Sequence, residues 1–388
     1  MLLEIHLLQN HAPSNLNRDD TGSPKDCIFG GVRRSRISSQ CLKRSIRTSK
    51  IFEDEMKGIG IGIRTRWLPA MIKEKLKEEG IEEELAEAAA KKSSGFGTKA
   101  GKEREDNRTA QIMFFSQQEI EGVARLLKEK IEVLSSIDEV EKLNVKELQK
   151  ELRTKFEEEK IIPVTPDVAF FGRMITSEAF NDIEASMQVA HAISTNKMDH
   201  EFDFFTAVDD KKGYGEDLEA QGAAMMGDIE FNSACYYKYF SLNVEDFLEN
   251  ITGGGDVSEH HKEVLKTTIK AFLNAAVFTT PSGKQNSFAA HQLPSVIYIE
   301  VKDKPIPISY ANAFVNPCNP WGDKDLIQVS IEALTSHITT ITNKYSLNSA
   351  KRLWFSIRDE PILENAEICK NFNDVIEKLE ETIESGLK

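Results

Sequence analysis

Between Ile28 and Lys50 the chain places seven basic side chains, Arg33, Arg34, Arg36, Lys43, Arg44, Arg47 and Lys50, and no Asp or Glu. A run of guanidinium and ammonium groups suits one kind of chemistry, the holding of a row of phosphates. The background sharpens the point, because the whole chain carries a formal charge of −14. Residues 1–50 hold nine Lys and Arg against four acids, a net +5, so the other 338 residues carry −19. A basic block in an acidic protein docks a polyanion, while the acidic remainder limits indiscriminate sticking. The competing reading is a basic helix face that is merely solvated.

Asp19, Asp20 and Asp26 lie just upstream. Carboxylates beside a phosphate track could hold a divalent metal for strand cleavage. Arg18, Lys25 and Arg33 crowd them, which favours ion pairs that orient the cations over an open two-metal site. No metal site and no cofactor is expected. His260-His261 has no third ligand nearby in sequence and reads as an exposed pair. No G-x-x-x-x-G-K-[ST] occurs, and Gly95-Phe96-Gly97 lacks both the spacing and the preceding strand of a dinucleotide fingerprint. Five cysteines, with no C-x-x-C pair, argue against a disulfide framework and for a reducing cytoplasm. Glu4 and His6 interrupt the apolar N-terminus, so it does not read as a signal peptide, and no apolar run is long enough to span a membrane.

These residues need a frame. Leu2–Gln9 reads as a first strand, followed by a turn-rich loop. Ser38 or Ser39 caps a helix of about three turns ending near Lys50, with Leu42 and Ile46 inward and Lys43, Arg47 and Lys50 on one exposed stripe. Gly30-Gly31 permits a tight turn or a close backbone approach. Residues 51–165 read as a helical insertion, with Ile120, Val123, Leu127, Ile131 and Leu134 on one apolar face. Residues 91–107, rich in Gly, Ser and Lys, are expected to form a mobile loop. Residues 186–195 are strand-like, and 198–231 fit two extended arms with a Gly-rich tip. A strand over 233–242, a helix over 259–277, a strand over 296–301, helices over about 324–344 and 362–385, and a short strand at 354–357 complete the chain. Stripped of insertions, the order is strand, helix, strand, strand, helix, strand: the split βαβ, ferredoxin-like order shared by RNA-recognition motifs.

The segments HAPSNLNRDDTGSPKDCIFGGVRRSRISSQCLKRSIR (11–47), FFGRMITS (170–177), MQVAHAISTNKMD (187–199), DFFTAVDD (203–210) and YANAF (310–314) together resemble the CasC family, the backbone subunit of the type I-E CRISPR Cascade complex. The resemblance implies an α+β fold: an RNA-recognition-motif-like (ferredoxin-like) palm with a helical fingers insertion and a β-hairpin thumb. The corresponding segments are 1–50, 166–196 and 229–388 for the palm and C-terminal helices, 51–165 for the fingers and 197–228 for the thumb. It implies guide-RNA contacts from Arg18, Lys25, Ser38, Gln40, Lys43, Arg44 and Arg47 in the palm, from Met174, and from Phe205, Thr206 and Val208 in the thumb. Phe205, Val208 and Met226 are the apolar thumb residues that could wedge between bases.

The partners implied are CRISPR guide RNA, target DNA through the guide, further copies of the chain placed head to tail, and other Cascade subunits, with no membrane. The family's fingers carry a lysine-rich helix that handles target DNA. Here 138–160 mixes Lys142, Lys146, Lys150, Arg153 and Lys155 with at least as many acids, so that role does not carry over. The expectation is a non-enzymatic, cytoplasmic scaffold that kinks the guide at regular intervals. Its rivals are a metal-dependent ribonuclease subunit of an RNA-targeting CRISPR complex, cutting through one of the three aspartates, and a stand-alone RNA-binding module.

Overall fold

The computed structural model describes residues 1–134, 136–207, 225–358 and 363–387. They form two compact units. The first comprises Met1–Phe52, Val189–Ser241 and Phe272–Lys388; the second comprises Glu53–Gln188 and Leu242–Ala271.

The strands, in chain order, are β1 (Leu2–Ser14), β2 (Asp26–Phe29), β3 (Val32–Ile37), β4 (Ile63–Thr65), β5 (Met113–Phe115), β6 (Met187–Val189), β7 (Ala192–Ser194), β8 (Glu201–Ala207), β9 (Met225–Asn243), β10 (Val296–Lys302), β11 (Lys351–Ser356) and β12 (Glu367–Ile368). The main sheet runs β12-β11-β10-β1-β9-β7-β3-β2. Within it, β1, helix Ser39–Arg47, β7, β9, helix Glu259–Phe278 and β10 follow one another in the chain. Their spatial order sets the fourth strand beside the first, the first beside the third and the third beside the second. The fold is thus α+β with the split βαβ core expected from the sequence.

β1 is buried on both faces, with Leu3, Ile5 and Leu7 on one and Glu4 and His6 on the other. A buried carboxylate needs a partner. Glu4 sits opposite Glu300 on β10, which in turn sits opposite Arg352 on β11. Lys302 pairs with both carboxylates, Arg352 Nε donates to Glu300 at 3.0 Å, and Tyr310 donates to it at 2.8 Å. Polar residues that look like interruptions in the sequence are therefore cross-strand partners in the sheet.

The second unit packs helices Leu68–Glu78, Glu83–Lys92, Gln117–Leu134 and Val145–Glu158 around Leu68, Ile72, Phe96, Ile120, Val123 and Leu152. The expected apolar face holds, with Ile120, Val123, Leu127 and Ile131 buried and Leu134 partly so.

The expected mobile loop at 91–107 does not hold. Its Ser93–Gly97 portion is a buried 3₁₀ turn, and Phe96 is fully enclosed. A Cβ on Gly95 would lie 2.7 Å from the carbonyl oxygen of Gly101, and Gln149 Nε2 donates to the carbonyls of Gly95 and Thr98 at 3.0 Å each. The glycines there serve close packing rather than motion.

Candidate nucleic-acid interface

The basic run is not one surface but three structures. Asp26–Phe29 and Val32–Ile37 form a hairpin whose two-residue turn is Gly30-Gly31, both at positive φ (59° and 76°). That conformation matches the right-handed twist of the strands and is easy only for glycine. Ser38 then caps helix Ser39–Arg47, its Oγ accepting from Cys41 N at 3.3 Å, and Leu42 and Ile46 turn inward as expected. The helix stops at Thr48, and a second helix begins at Lys50 rather than the first continuing to it.

Arg33, Arg34 and Arg36 of this run are each engaged within the protein. Arg34 is fully buried: Nη1 donates to the carbonyls of Ser194 (2.9 Å) and Thr195 (3.0 Å), and Nη2 donates to those of Phe314 (2.7 Å) and Val315 (3.1 Å). Arg33 pairs with Asp26. Arg36 donates to the Asp26 carbonyl at 3.0 Å and lies 3.1 Å from His191 Nδ1. Both Nη groups of Arg34 are taken up by carbonyls and its Nε is buried, so the guanidinium is closed to a phosphate.

Arg18 and Arg44 meet in a groove of about 730 Å³ in the first unit. It is lined by Arg18 and Arg44, by Asp19 and Asp20, by Thr48 and Ser49, whose hydroxyls donate to the carbonyls of Arg44 (2.8 Å) and Ile46 (2.7 Å), and by the segment Thr279–Gly283 with Thr280 and Ser282. Arg18 and Arg44 are both exposed. The loop bearing Arg18 is held in place: Asn15 Nδ2 donates to the carbonyls of Gly22 (3.0 Å) and Glu230 (2.9 Å), and Lys25 N donates to Asn17 O at 2.8 Å. The groove therefore offers two charged donors and the hydroxyls of Thr280 and Ser282 on a fixed frame, which suits a sugar–phosphate chain, while Asp19, held in its turn, and Asp20 place two carboxylates beside them.

The other palm candidates are placed less uniformly. Gln40 is exposed, Lys25, Lys43 and Arg47 are half-buried, and Ser38 is buried with its hydroxyl engaged in the cap. Burial depresses the Lys43 pKa. Lys238, buried on β9, titrates at about 8 for the same reason; its ammonium donates to Gln9.

The three aspartates are differently engaged. Asp19 closes a turn, its Oδ1 accepting from Thr21 N (2.9 Å), Thr21 Oγ1 (2.8 Å) and Ser23 N (3.0 Å), and the Thr21 hydroxyl draws its pKa down. Asp26 pairs with Arg33, and Asp20 is exposed. Among the described residues, one group of three ligand-type side chains lies close together, Glu4, His6 and Glu300. It is buried, and the Lys302 ammonium already pairs with both of its carboxylates.

β8 and β9 form the expected pair of extended arms, with Thr206 opposite Met226, Phe205 opposite Gly227 and Phe204 opposite Asp228. Val208 and the tip fall outside the described residues. Side chains alternate across a strand, so Phe202, Phe204 and Thr206 share a face with Met226 across the ladder. That face is open: Phe202, Phe204 and Met226 are each about two-thirds exposed. Phe205 points the other way, half-buried over Gly227, where a Cβ would lie 2.8 Å from its ring. Of the wedge candidates, Met226 lies on the open face and Phe205 does not; Phe202 and Phe204 were missed.

Met174 lies in the second unit and is 91% exposed. Its neighbour Arg173 is buried, donating to both oxygens of buried Glu119 (2.8 and 2.9 Å) and to the carbonyls of Phe114 and Asn181. The loop that presents Met174 is therefore anchored at its base.

The Thr279–Gly283 wall also went unread. Its signal is the composition Thr-Thr-Pro-Ser-Gly-Lys, hydroxyls and a glycine ahead of a lysine. Gly283 lies against the carbonyl oxygens of Leu16 and Asn15, and a Cβ there would come within 2.6 Å of the latter. Gly283→Ala is expected to push the two walls apart, costing about 1–3 kcal/mol of stability, the scale of an overpacked site. RNA affinity is expected to fall with it. A melting curve and a binding titration check this, and an unchanged variant in both would mean the close approach is not needed.

The sequence profile of CT1975-like proteins matches residues 3–383. Two solved chains resemble the whole molecule. One belongs to a pre-nicking CRISPR RNA-guided surveillance complex, with a TM-score of 0.80 and 26% identity over 99% of this chain and 100% of that one. The other, from a CRISPR RNA-guided surveillance complex, has a TM-score of 0.71 and 21% identity over 98% of this chain and 100% of that one, and shows the shared fold alone. No curated protein matches the sequence. No helix among the described residues is long and apolar enough to cross a membrane.

Proposed function

This chain belongs to the family of CT1975-like proteins, and from that premise we propose that it binds CRISPR guide RNA as the repeated backbone subunit of a Cascade-type surveillance complex, of type I-E. The observation that carries the proposal is the groove that Arg18 and Arg44 line together with the hydroxyl-bearing segment Thr279–Gly283. The arginines take phosphate oxygens through charge-assisted hydrogen bonds, and the hydroxyls supply neutral contacts along the same strand. Contacts of this kind are indifferent to base identity, which a protein serving any guide requires.

The open face of the hairpin, with Phe202, Phe204 and Met226, suits contact with base faces rather than phosphates, since Asp228 and Glu230, opposite Phe204 and Phe202, share that face and repel phosphate. Apolar side chains set against bases can unstack a step and hold a kink. Several copies on one guide would use a head-to-tail interface. We propose that the chain is a scaffold without cleavage activity. Asp19 and Asp26 being taken up by a turn and an ion pair supports this.

The test is to purify the protein with its RNA and measure the mass and copy number of the assembly. Chemical probing is then compared between wild type and the Phe202→Ser, Phe204→Ser double variant. The expected result is RNA retained in both, with periodic reactivity lost in the variant; an unchanged period would remove the hairpin from the reading. Labelled RNA and DNA complementary to the guide, incubated with Mg²⁺ or Mn²⁺ and no other nuclease, are expected to stay intact. Cuts that vanish in Asp19→Ala, Asp20→Ala or Asp26→Ala would replace the scaffold with a ribonuclease.

A further inference from the structure

The second unit carries an aromatic–arginine stack that the groove does not use. The Arg108 guanidinium lies 3.9 Å from the centroid of the Trp67 ring. Among the described residues no carboxylate pairs with that guanidinium, and its Nε is buried without a hydrogen-bond partner. The nearby Asp106 is taken by Arg104 at 3.0 Å and approached by Arg66 at 3.7 Å. Trp67 is 49% exposed. A large indole left half in water, with an unpaired cation against it, is neither core packing nor an ion-pair network.

We propose that Trp67 and Arg108 form a stacking platform for an unpaired base of the guide RNA; this rests on the guide-binding reading above. The platform is pre-set. Trp67 N donates to Thr65 Oγ1 at 2.9 Å, Thr109 N donates to Arg66 O at 2.9 Å, and Arg66 Nε donates to Thr109 O at 2.9 Å, so the end of β4 and the loop bearing Arg108 are tied together. Gln111 Nε2, in turn, donates to Thr176 Oγ1 at 3.3 Å, which links this loop to the one that exposes Met174. Two open groups thus stand on neighbouring, hydrogen-bonded loops, and Ile112, also exposed, lies between Gln111 and β5.

The chemistry favours a base face over a base edge. Thr109 is buried and its Oγ1 donates to Gln111 O at 2.8 Å, and Thr65 Oγ1, which accepts from Trp67 N, keeps only a single O–H, so the pair does not offer a donor–acceptor pattern for a base edge. Every base offers a π-face, and a stack of this type is sequence-tolerant. Arg64, over the Phe114 ring at 6.0 Å, adds positive charge on the adjoining strand pair.

The experiment titrates single-stranded RNA of mixed composition into wild-type, Trp67→Ala, Trp67→Phe and Arg108→Ala proteins at several salt concentrations, with melting curves to confirm folding. Loss of a stacked base costs about five- to a hundredfold in affinity. Trp67→Ala is expected to lose that much with no change in the slope of log affinity against log salt, because stacking releases no counterions. Trp67→Phe keeps most of the affinity, and Arg108→Ala weakens binding less than Trp67→Ala. In Trp321→Phe protein, where buried Trp354 is the other indole, RNA quenches Trp67 emission. Unchanged affinity for Trp67→Ala, or quenching that appears only when complementary DNA is added, overturns the proposal. A wild-type protein that binds no RNA defeats the guide-binding reading itself, and the platform with it.

Discussion

Reversing both groove arginines, Arg18→Glu with Arg44→Glu, is expected to abolish RNA retention, with affinity falling by about a hundredfold or more. Each substitution removes a charge-assisted contact to phosphate and leaves a carboxylate facing the same oxygens, and a charge-assisted bond is worth about tenfold on its own. The two side chains line one groove, so the losses fall on one strand. Single alanine changes are the finer measurement. Each flattens the salt dependence by about 0.7 in slope for a single strand and weakens all sequences alike. Both side chains are exposed, so melting temperatures should stay close to wild type. Binding lost for one sequence only, or a slope that does not move, would show that the groove does not hold the backbone.

Arg34→Ala is expected to act in the opposite sense, on the fold and not on the salt slope. Arg34 donates to four carbonyls, those of Ser194, Thr195, Phe314 and Val315. Removing it leaves these oxygens short of donors in a closed site, at a cost of about 3–5 kcal/mol. For a unit of this size that is a drop of about 10 °C in melting temperature. Arg34→Lys recovers only part, because one ammonium cannot span four oxygens, and Arg34→Met fills space without supplying donors. Folded Arg34→Lys protein should keep the wild-type salt slope. A slope reduced by one phosphate contact, with melting unchanged, would return Arg34 to the RNA surface.

Arg34 also explains why scattered segments of the sequence belong together. The run at 28–50, the segment 187–199 and the segment 310–314 lie far apart in the chain. They converge where Arg34 reaches Ser194, Thr195 and Phe314. The Tyr310 N–H, at the head of the third segment, donates to Tyr237 OH at 2.9 Å, which ties it to β9 as well.

What the sequence determined by itself is the part of the fold governed by near neighbours. Ser38 is the cap because a hydroxyl three residues ahead of an amide is a local arrangement, and Leu42 and Ile46 face inward because a helix repeats every 3.6 residues. The strands at 2–9 and 296–301, the two arms of the hairpin and the helices after Ser258 and Asp325 follow from the same short-range rules. So does the expectation of a phosphate-binding surface near the first helix. The first strand, by contrast, runs on to Ser14, through residues that read as loop.

Which arginines are left open to solvent was decided only by the tertiary structure. Arg33, Arg34 and Arg44 are alike as a run of charge, yet one pairs with Asp26, one closes on carbonyls as many as 281 residues away, and one opens into the groove. The same is true of the Ser93–Gly97 turn, whose glycines read as loop until Val145 and Gln149 close over them. It is true of Phe204 and Phe205, whose faces are set by register against β9. Charge and composition can be read from a window of sequence. Whether a donor is spent inside or left for a ligand depends on acceptors that the chain brings up from far away, and no local pattern encodes them.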